Sequence, residues 1–235
     1  MDSSLCIVLK SVDYRDNDKI VTLFSRQDGK LTAMARGAKS LKSEISPSTQ
    51  QFCCGVYNFY ERNSKLYIKN CEIKKSYTDV AEDYDAYLAA CSIVDVTSRI
   101  LEDSDDYNDL FVLVVNCLNA LLRVNAEEVM CYFIIKLLSI LGIGPLLYAC
   151  CICGNEIEEP SHFSLEDGGC VCDDCAPSVR TVPFSGKAAR ELNEAVMTRP
   201  IEFSGNDSFH GELLVLLNDY LKVMTGIGVR FGASL

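Results

Sequence analysis

Residues 1–80 read as short strands separated by turns. Leu5, Ile7 and Leu9 alternate with Cys6, Val8 and Lys10, and the runs Lys19–Ser25 and Lys30–Arg36 flank Asp28-Gly29, a hairpin signal whose glycine can take positive φ. Two aromatic-rich runs follow, Phe52–Glu61 and Lys65–Lys74, joined at Arg62-Asn63-Ser64. Five strands in so short a stretch predict a small closed or nearly closed barrel. Its longest internal loop is Arg36–Gln50.

From about Asp83 the period lengthens to that of helices. Tyr84, Tyr87, Leu88, Cys91, Val94 and Leu101 form one stripe; Tyr107, Leu110, Phe111, Val114, Leu118, Leu121 and Leu122 form a second; Val129, Met130, Phe133, Ile134, Leu137 and Leu138 form a third. These residues are expected in the core. Asn125 followed by Glu128 has the form of an N-cap with a capping-box partner, and Gly142 is a stop. Two more helices are expected over Gly186–Met197 and Phe209–Thr225, leaving residues 150–180 as an interruption. The expected class is therefore α+β and multidomain: a five-stranded OB-fold β-barrel over residues 1–80, then an α-helical domain over 81–235 with an inserted four-cysteine zinc finger at about 148–180. There is no internal repeat and no low-complexity segment.

At 235 residues, 49% hydrophobic and 23% charged, the composition is that of a folded globular protein. The net charge of −11 argues against nucleic acid until its distribution is considered. Residues 1–80 hold 13 Lys and Arg against 9 Asp and Glu, whereas residues 81–235 hold 9 against 24. A basic first part and an acidic second part imply a nucleic-acid face on one and a different role for the other. Met1-Asp2-Ser3-Ser4 lacks the charged and apolar regions of a secretory signal, and the charge-free run Leu137–Asn155 is broken by Gly142, Gly144 and Pro145. A cytoplasmic protein without a membrane span is expected.

Thirteen cysteines is a high count, but an odd one, which argues against a secreted disulfide framework. Cys6, Cys91, Cys117 and Cys131 fall in apolar patterns, where a thiol acts as a small hydrophobe. The specific signal is Cys150-x2-Cys153 and, after 18 intervening residues, Cys172-x2-Cys175. Each pair offers two sulfurs from one tight turn, and two such turns close a tetrahedron around Zn²⁺. Gly154 and Gly168-Gly169 supply the chain reversals, while Cys151 and Cys170 have the wrong spacing for a knuckle. With four protein ligands and no open position, one structural zinc per chain is expected. The rival reading, a redox dithiol, lacks its βαβ setting.

The basic residues of the first part are Arg15, Lys19, Arg26 and Lys30 around the hairpins, then Arg36, Lys39 and Lys42 in the loop Arg36-Gly37-Ala38-Lys39-Ser40-Leu41-Lys42-Ser43. Such a loop can lay amides, hydroxyls and cations along phosphates. Phe24, Phe52, Tyr57, Phe59, Tyr60 and Tyr67 would serve as stacking platforms only where they point outward, and most are expected inside the barrel.

The segment Tyr14-Arg15-Asp16-Asn17-Asp18-Lys19-Ile20-Val21-Thr22-Leu23-Phe24-Ser25, with Gly29-Lys30, Ala35-Arg36-Gly37-Ala38-Lys39-Ser40 and Gln51-Phe52, resembles the N-terminal barrel of the RecO family of recombination mediators. The Cys150/Cys153 and Gly168-Gly169 to Cys172/Cys175 arrangement is similar to the zinc finger that many members carry after a helical stretch. The resemblance implies a non-enzymatic role in DNA repair and homologous recombination: binding of single- and double-stranded DNA, annealing of complementary strands, and assembly with RecR to load RecA onto strands coated by single-strand-binding protein. It also implies a cytoplasmic, nucleoid-associated location.

Two alternatives compete. An enzyme would need parts that are scarce: His162 and His210 are the only histidines, neither in a metal-hydrolase motif, and no G-x4-G-K-[ST] loop is present. Asp13, Asp16 and Asp18, or Asp103, Asp105 and Asp106, are the carboxylates that a Mg²⁺-dependent nuclease would draw on. The other alternative is a protein-binding scaffold whose acidic helical half does the work.

Overall fold

A computed structural model describes residues 3–40, 42–101, 107–197 and 211–231. By compactness the chain divides into Met1–Leu122 and Arg123–Leu235.

In the first unit, β1 (Ser3–Tyr14), β2 (Asp18–Ser25), β3 (Gly29–Ala35), β4 (Cys53–Arg62) and β5 (Lys65–Ser76) close a barrel in the order β1-β2-β3-β5-β4. All neighbours are antiparallel except β3 and β5, which pair in parallel through Ala33 with Leu66 and Met34 with Tyr67. This is the OB-type arrangement that the turn spacing predicts. The β4-β5 hairpin turns on Asn63 and Ser64, both at positive φ, as a two-residue turn matched to strand twist requires.

One face of each strand fills the barrel with Cys6, Val8, Val21, Leu23, Ala33, Ala35, Cys53, Tyr57, Phe59 and Ile68. The β3-β4 connection is not a free loop. Ala38, Ser48 and Thr49 are buried, a 3-10 turn forms at Pro47–Thr49, and the Tyr57 hydroxyl donates to Ser48 O at 2.6 Å. That bond satisfies a polar group that would otherwise be costly inside the barrel.

Two helices complete this unit, α1 (Tyr84–Ile100) and α2 (Tyr107–Ala120). Asp83 caps α1 by accepting from Ala86 N–H at 2.8 Å. The buried face of α1 is Ala86, Ala89, Ala90, Ile93, Val96, Thr97 and Ile100, with Val94 beside it, and it packs near β1. This corrects the first stripe: Tyr84 and Tyr87 are exposed, and Leu88 and Cys91 are only half-buried. Small residues let the helix lie close, so the alanines take the inner face and the tyrosines the outer. In α2, Leu110, Phe111, Val114, Leu118 and Leu121 are buried as expected, whereas Leu122 beyond its end is exposed. Phe111 meets Phe24 of β2 edge to face, with ring centroids 5.3 Å apart.

In the second unit, α3 (Ala126–Ile140) is capped by Asn125, whose side chain accepts from Glu127 N–H at 2.8 Å. It ends in a Schellman arrangement: Gly142 has φ +70°, Gly142 N–H reaches Ser139 O, and Ile143 N–H reaches Leu138 O. Every apolar residue of the third stripe is buried. α4 (Gly186–Met197) and α5 (Gly211–Thr225) pack on α3. Residues 209 and 210, expected to open the last helix, lie outside the described residues. Between α3 and α4 the chain forms a three-stranded ribbon of β6 (His162–Ser164), β7 (Gly169–Val171) and β8 (Val182–Pro183). No helix among the described residues is long and apolar enough to cross a membrane.

Candidate nucleic-acid interface and metal centre

Two short turns flank the outer face of β2 and β3: Arg15–Asn17 between β1 and β2, and Asn63-Ser64 between β4 and β5. Between them lies a groove of about 300 Å³, lined by Tyr14, Ile20, Thr32, Met34, Lys65 and Leu66. OB-folds receive strands of nucleic acid on this face.

Four of the predicted cationic residues, Arg15, Lys19, Arg36 and Lys39, are brought together at one end of the barrel. Lys19 pairs with Ala35, the residue before Arg36. Gly37 N–H donates to Asp18 Oδ1 at 2.9 Å and Lys39 N–H donates to Asn17 O at 3.0 Å, which ties the start of the β3-β4 connection to the turn bearing Arg15. Lys42 is exposed farther along that connection. Arg26 and Lys30 sit instead at the opposite end of β2 and β3 and hold helices: Arg26 Nε donates to Asn108 Oδ1 at 2.8 Å, and Lys30 Nζ to Ser98 O at 2.9 Å.

Two cations that the linear sequence does not single out are brought in by the barrel. Arg62 and Lys65 pair across β4 and β5 next to the Asn63-Ser64 turn, both exposed, and among the described residues neither meets a carboxylate. The signal for them is their place beside the second flanking turn of an OB-type barrel. Of the aromatic residues, Phe24, Phe52, Tyr57, Phe59 and Tyr67 are buried, and Tyr60 stands outward.

Of the carboxylates considered for Mg²⁺, Asp13 pairs with Lys39 at 2.9 Å and Asp18 accepts from Gly37, while Asp16 is exposed. Asp103, Asp105 and Asp106 lie outside the described residues.

In the second unit, the sulfurs of Cys150, Cys153, Cys172 and Cys175 all lie within 4.8 Å of one another, a grouping able to hold a metal ion. The first knuckle is closed by Gly154 N–H to Cys150 O and Cys150 N–H to Asn155 O, the second by Cys175 N–H to Cys172 O. Backbone pairing then joins them, because Cys170 N–H donates to Leu146 O at 2.7 Å and Cys151 N–H to Cys170 O at 2.9 Å. Cys151 and Cys170 belong to this scaffold and not to the sulfur cluster. None of the thirteen cysteines is in a disulfide.

The donor set fits a tetrahedral thiolate ion. Metal–sulfur bonds of about 2.3 Å place tetrahedral sulfurs about 3.8 Å apart, and Cys153 Sγ lies 3.8 Å from Cys172 Sγ. Burial would push the Cys150 thiol up, but N–H groups of Cys172, Cys153 and Ile152 outweigh it and bring Cys150 down to about 6. Asn155 N–H pulls Cys153 down, yet its hydrogen bonds with Cys150 and Cys172 hold it above the ordinary value. Hydrogen bonding with Cys172, then burial, pushes Cys175 up to about 12. Cys150 is thus favoured as a thiolate, whereas Cys153 and Cys175 ionise against a compensating cation.

Family models match nearly the whole of this chain. One described as "Recombination protein O N terminal" matches residues 1–77, and one described as "Recombination protein O C terminal" matches residues 81–230. The chain belongs to the RecO family. It is 32% identical over 95% of its length to a protein of Shouchella clausii named "DNA repair protein RecO", covering 90% of that protein. A protein of the same name from Caldanaerobacter subterraneus subsp. tengcongensis is 34% identical over 77% of the chain and 74% of its own length. A third, from Desulforamulus reducens, is 28% identical over 92% and 86%. As a RecO-family member, the chain joins an OB-type barrel to a helical part with a four-cysteine cluster.

Proposed function

We propose that this RecO-family protein acts in DNA repair and homologous recombination, binding single- and double-stranded DNA through a domain of residues 1–80 and annealing complementary strands. The observation that carries this reading is the gathering of Arg15, Lys19, Arg36 and Lys39 at one end of the barrel, with Lys65 lining the neighbouring groove and Arg62 paired beside it, in an otherwise acidic chain. Polyanionic strands release counterions when such cations neutralise their phosphates, and annealing needs close approach without bond-making chemistry, so no catalytic residue is required. Lys42 extends the cationic surface along the β3-β4 connection, and Arg26 and Lys30 contribute less.

The family relationship supports a mediator role, in which the protein assembles with RecR and helps load RecA onto DNA coated by single-strand-binding protein. The residues of 81–235 then serve as the docking body. In this reading the sulfur cluster holds one structural Zn²⁺ per chain, through Cys150, Cys153, Cys172 and Cys175; the ion clamps two loops too small to make a core of their own. The protein works in the cytoplasm, on the nucleoid.

The test is binding of the full chain to a fluorescent oligonucleotide at rising salt, with annealing measured on bare strands and on strands carrying single-strand-binding protein, with and without RecR. Affinity is expected to fall steeply with salt. Arg36→Ala, Lys39→Ala and Lys42→Ala together should flatten the slope by about one unit for each phosphate that is no longer neutralised. An unchanged slope in the triple variant moves the site elsewhere; Mg²⁺-dependent cleavage of the oligonucleotide favours the nuclease.

A further inference from the structure

Tyr60 and Tyr67 face each other across β4 and β5 on the outer surface of the barrel. Their rings are stacked, with centroids 5.1 Å apart and planes 13° from parallel. The Arg36 guanidinium lies over the Tyr67 ring, 4.6 Å from its centroid. Tyr67 is thereby covered to 6% exposure, whereas Tyr60 remains 38% exposed. An aromatic ring that stays partly open to water, while its partner ring and a cation fix its orientation, has given up rotamer freedom without being buried. Arg62 and Lys65 pair two residues along the same two strands, toward the Asn63-Ser64 turn, and alternation puts them on the same face as Tyr60. Cations beside an open aromatic plane are what a strand with unstacked bases requires.

Resting on the proposed DNA-binding role of the barrel, we infer that Tyr60 is a base-stacking platform, backed by Tyr67 and oriented with it by Arg36, that makes this edge of the barrel selective for unpaired bases. A duplex keeps its base faces stacked on each other and offers Tyr60 only a phosphate backbone. A single strand whose phosphates run past Arg62 and Lys65 can turn one base onto the ring.

The test uses the full chain and oligonucleotides of one length: oligo-dT, the same strand with abasic sites throughout, and a duplex. Tyr60→Ala should weaken oligo-dT binding roughly tenfold, within the range of one missing base-aromatic stack, and change abasic-strand and duplex binding less than about twofold. Tyr60→Phe and Tyr60→Trp should keep oligo-dT binding, since both retain the plane. Thermal unfolding of each variant confirms that the barrel persists. Equal weakening on oligo-dT and the abasic strand would mean that Tyr60 supports phosphate binding only, and would overturn the inference. So would unchanged oligo-dT binding by Tyr60→Ala in a protein whose binding still falls with salt; that result leaves the cationic groove in place. If the unaltered protein binds none of the three, the proposed function fails and the platform fails with it.

Discussion

Asp13 Oδ2 lies 2.9 Å from Lys39 Nζ, so one of the cations gathered at one end of the barrel carries its own anion. Asp13 is 64% exposed and Lys39 31%, and such a pair adds little to stability. Its consequence is for binding, because a phosphate must displace the carboxylate before it can use Lys39. Asp13→Asn is therefore expected to strengthen oligonucleotide binding at low salt and to steepen the salt slope by about one unit, with thermal stability nearly unchanged. Weaker binding by Asp13→Asn would show that the pair orients Lys39 and does not compete for it.

The metal site should be acid-sensitive. Cys153 and Cys175 hold their protons above the ordinary thiol range, so a bound ion must displace them. Metal affinity should fall as pH falls, by roughly a hundredfold per pH unit where about two protons are released. Cys150, brought down to about 6, adds a further loss below that pH. Titration with a chromophoric chelator between about pH 5.5 and 8 measures this, and about one zinc per chain is expected. Cys172→Ser or Cys175→Ser should abolish tight binding. A pH-independent affinity would mean that the thiols are ionised before the metal arrives.

Much of the fold is legible in local residue order. The strands can be read because alternation and turn residues act over a few positions, and the sulfur cluster because each knuckle takes both its ligands from four consecutive residues. What stays hidden depends on residues far apart in sequence. Arg62 and Lys65 join the groove only through the parallel closure of β3 on β5, which sets Leu66 beside Ala33. The buried face of α1 is misassigned by periodicity because it weighs Tyr84 and Tyr87 above Ala86 and Ala89, whereas close packing favours the small side chains. The change of period near Asp83 marks where strands give way to helices; packing runs on to Leu122 because the outer face of β2 is apolar at Phe24 and takes Phe111.

That pair of rings links the barrel to α2 within the first unit. Phe24 is fully buried against Phe111, and deleting a buried ring costs about 3–5 kcal/mol. Phe24→Ala should lower the urea midpoint of the barrel and of helices α1 and α2 together, followed by circular dichroism and by tyrosine fluorescence in the same samples. Loss of helix signal while the barrel signal persists would show that the helices are not part of one cooperative unit.

The scaffold of the sulfur cluster can be tested without touching a sulfur. A Cβ on Gly169 would fall 2.5 Å from Leu146 O and 2.9 Å from Leu146 N; both are backbone atoms, so neither can yield cheaply. Leu146 O is also the acceptor for Cys170 N–H, two residues before Cys172. Gly169→Ala must therefore push apart the segments that carry the two knuckles. Gly154→Ala is the contrasting change: its Cβ meets nothing within 4 Å, and its cost is that of an L residue at φ +76°, about 1–2 kcal/mol. Metal affinity measured by chelator competition should fall at least about tenfold in Gly169→Ala and by less than that in Gly154→Ala, because only the first alters the distance between the cysteine pairs. Equal affinities in the two variants would mean that the ion draws the knuckles together regardless of the pairing at Leu146.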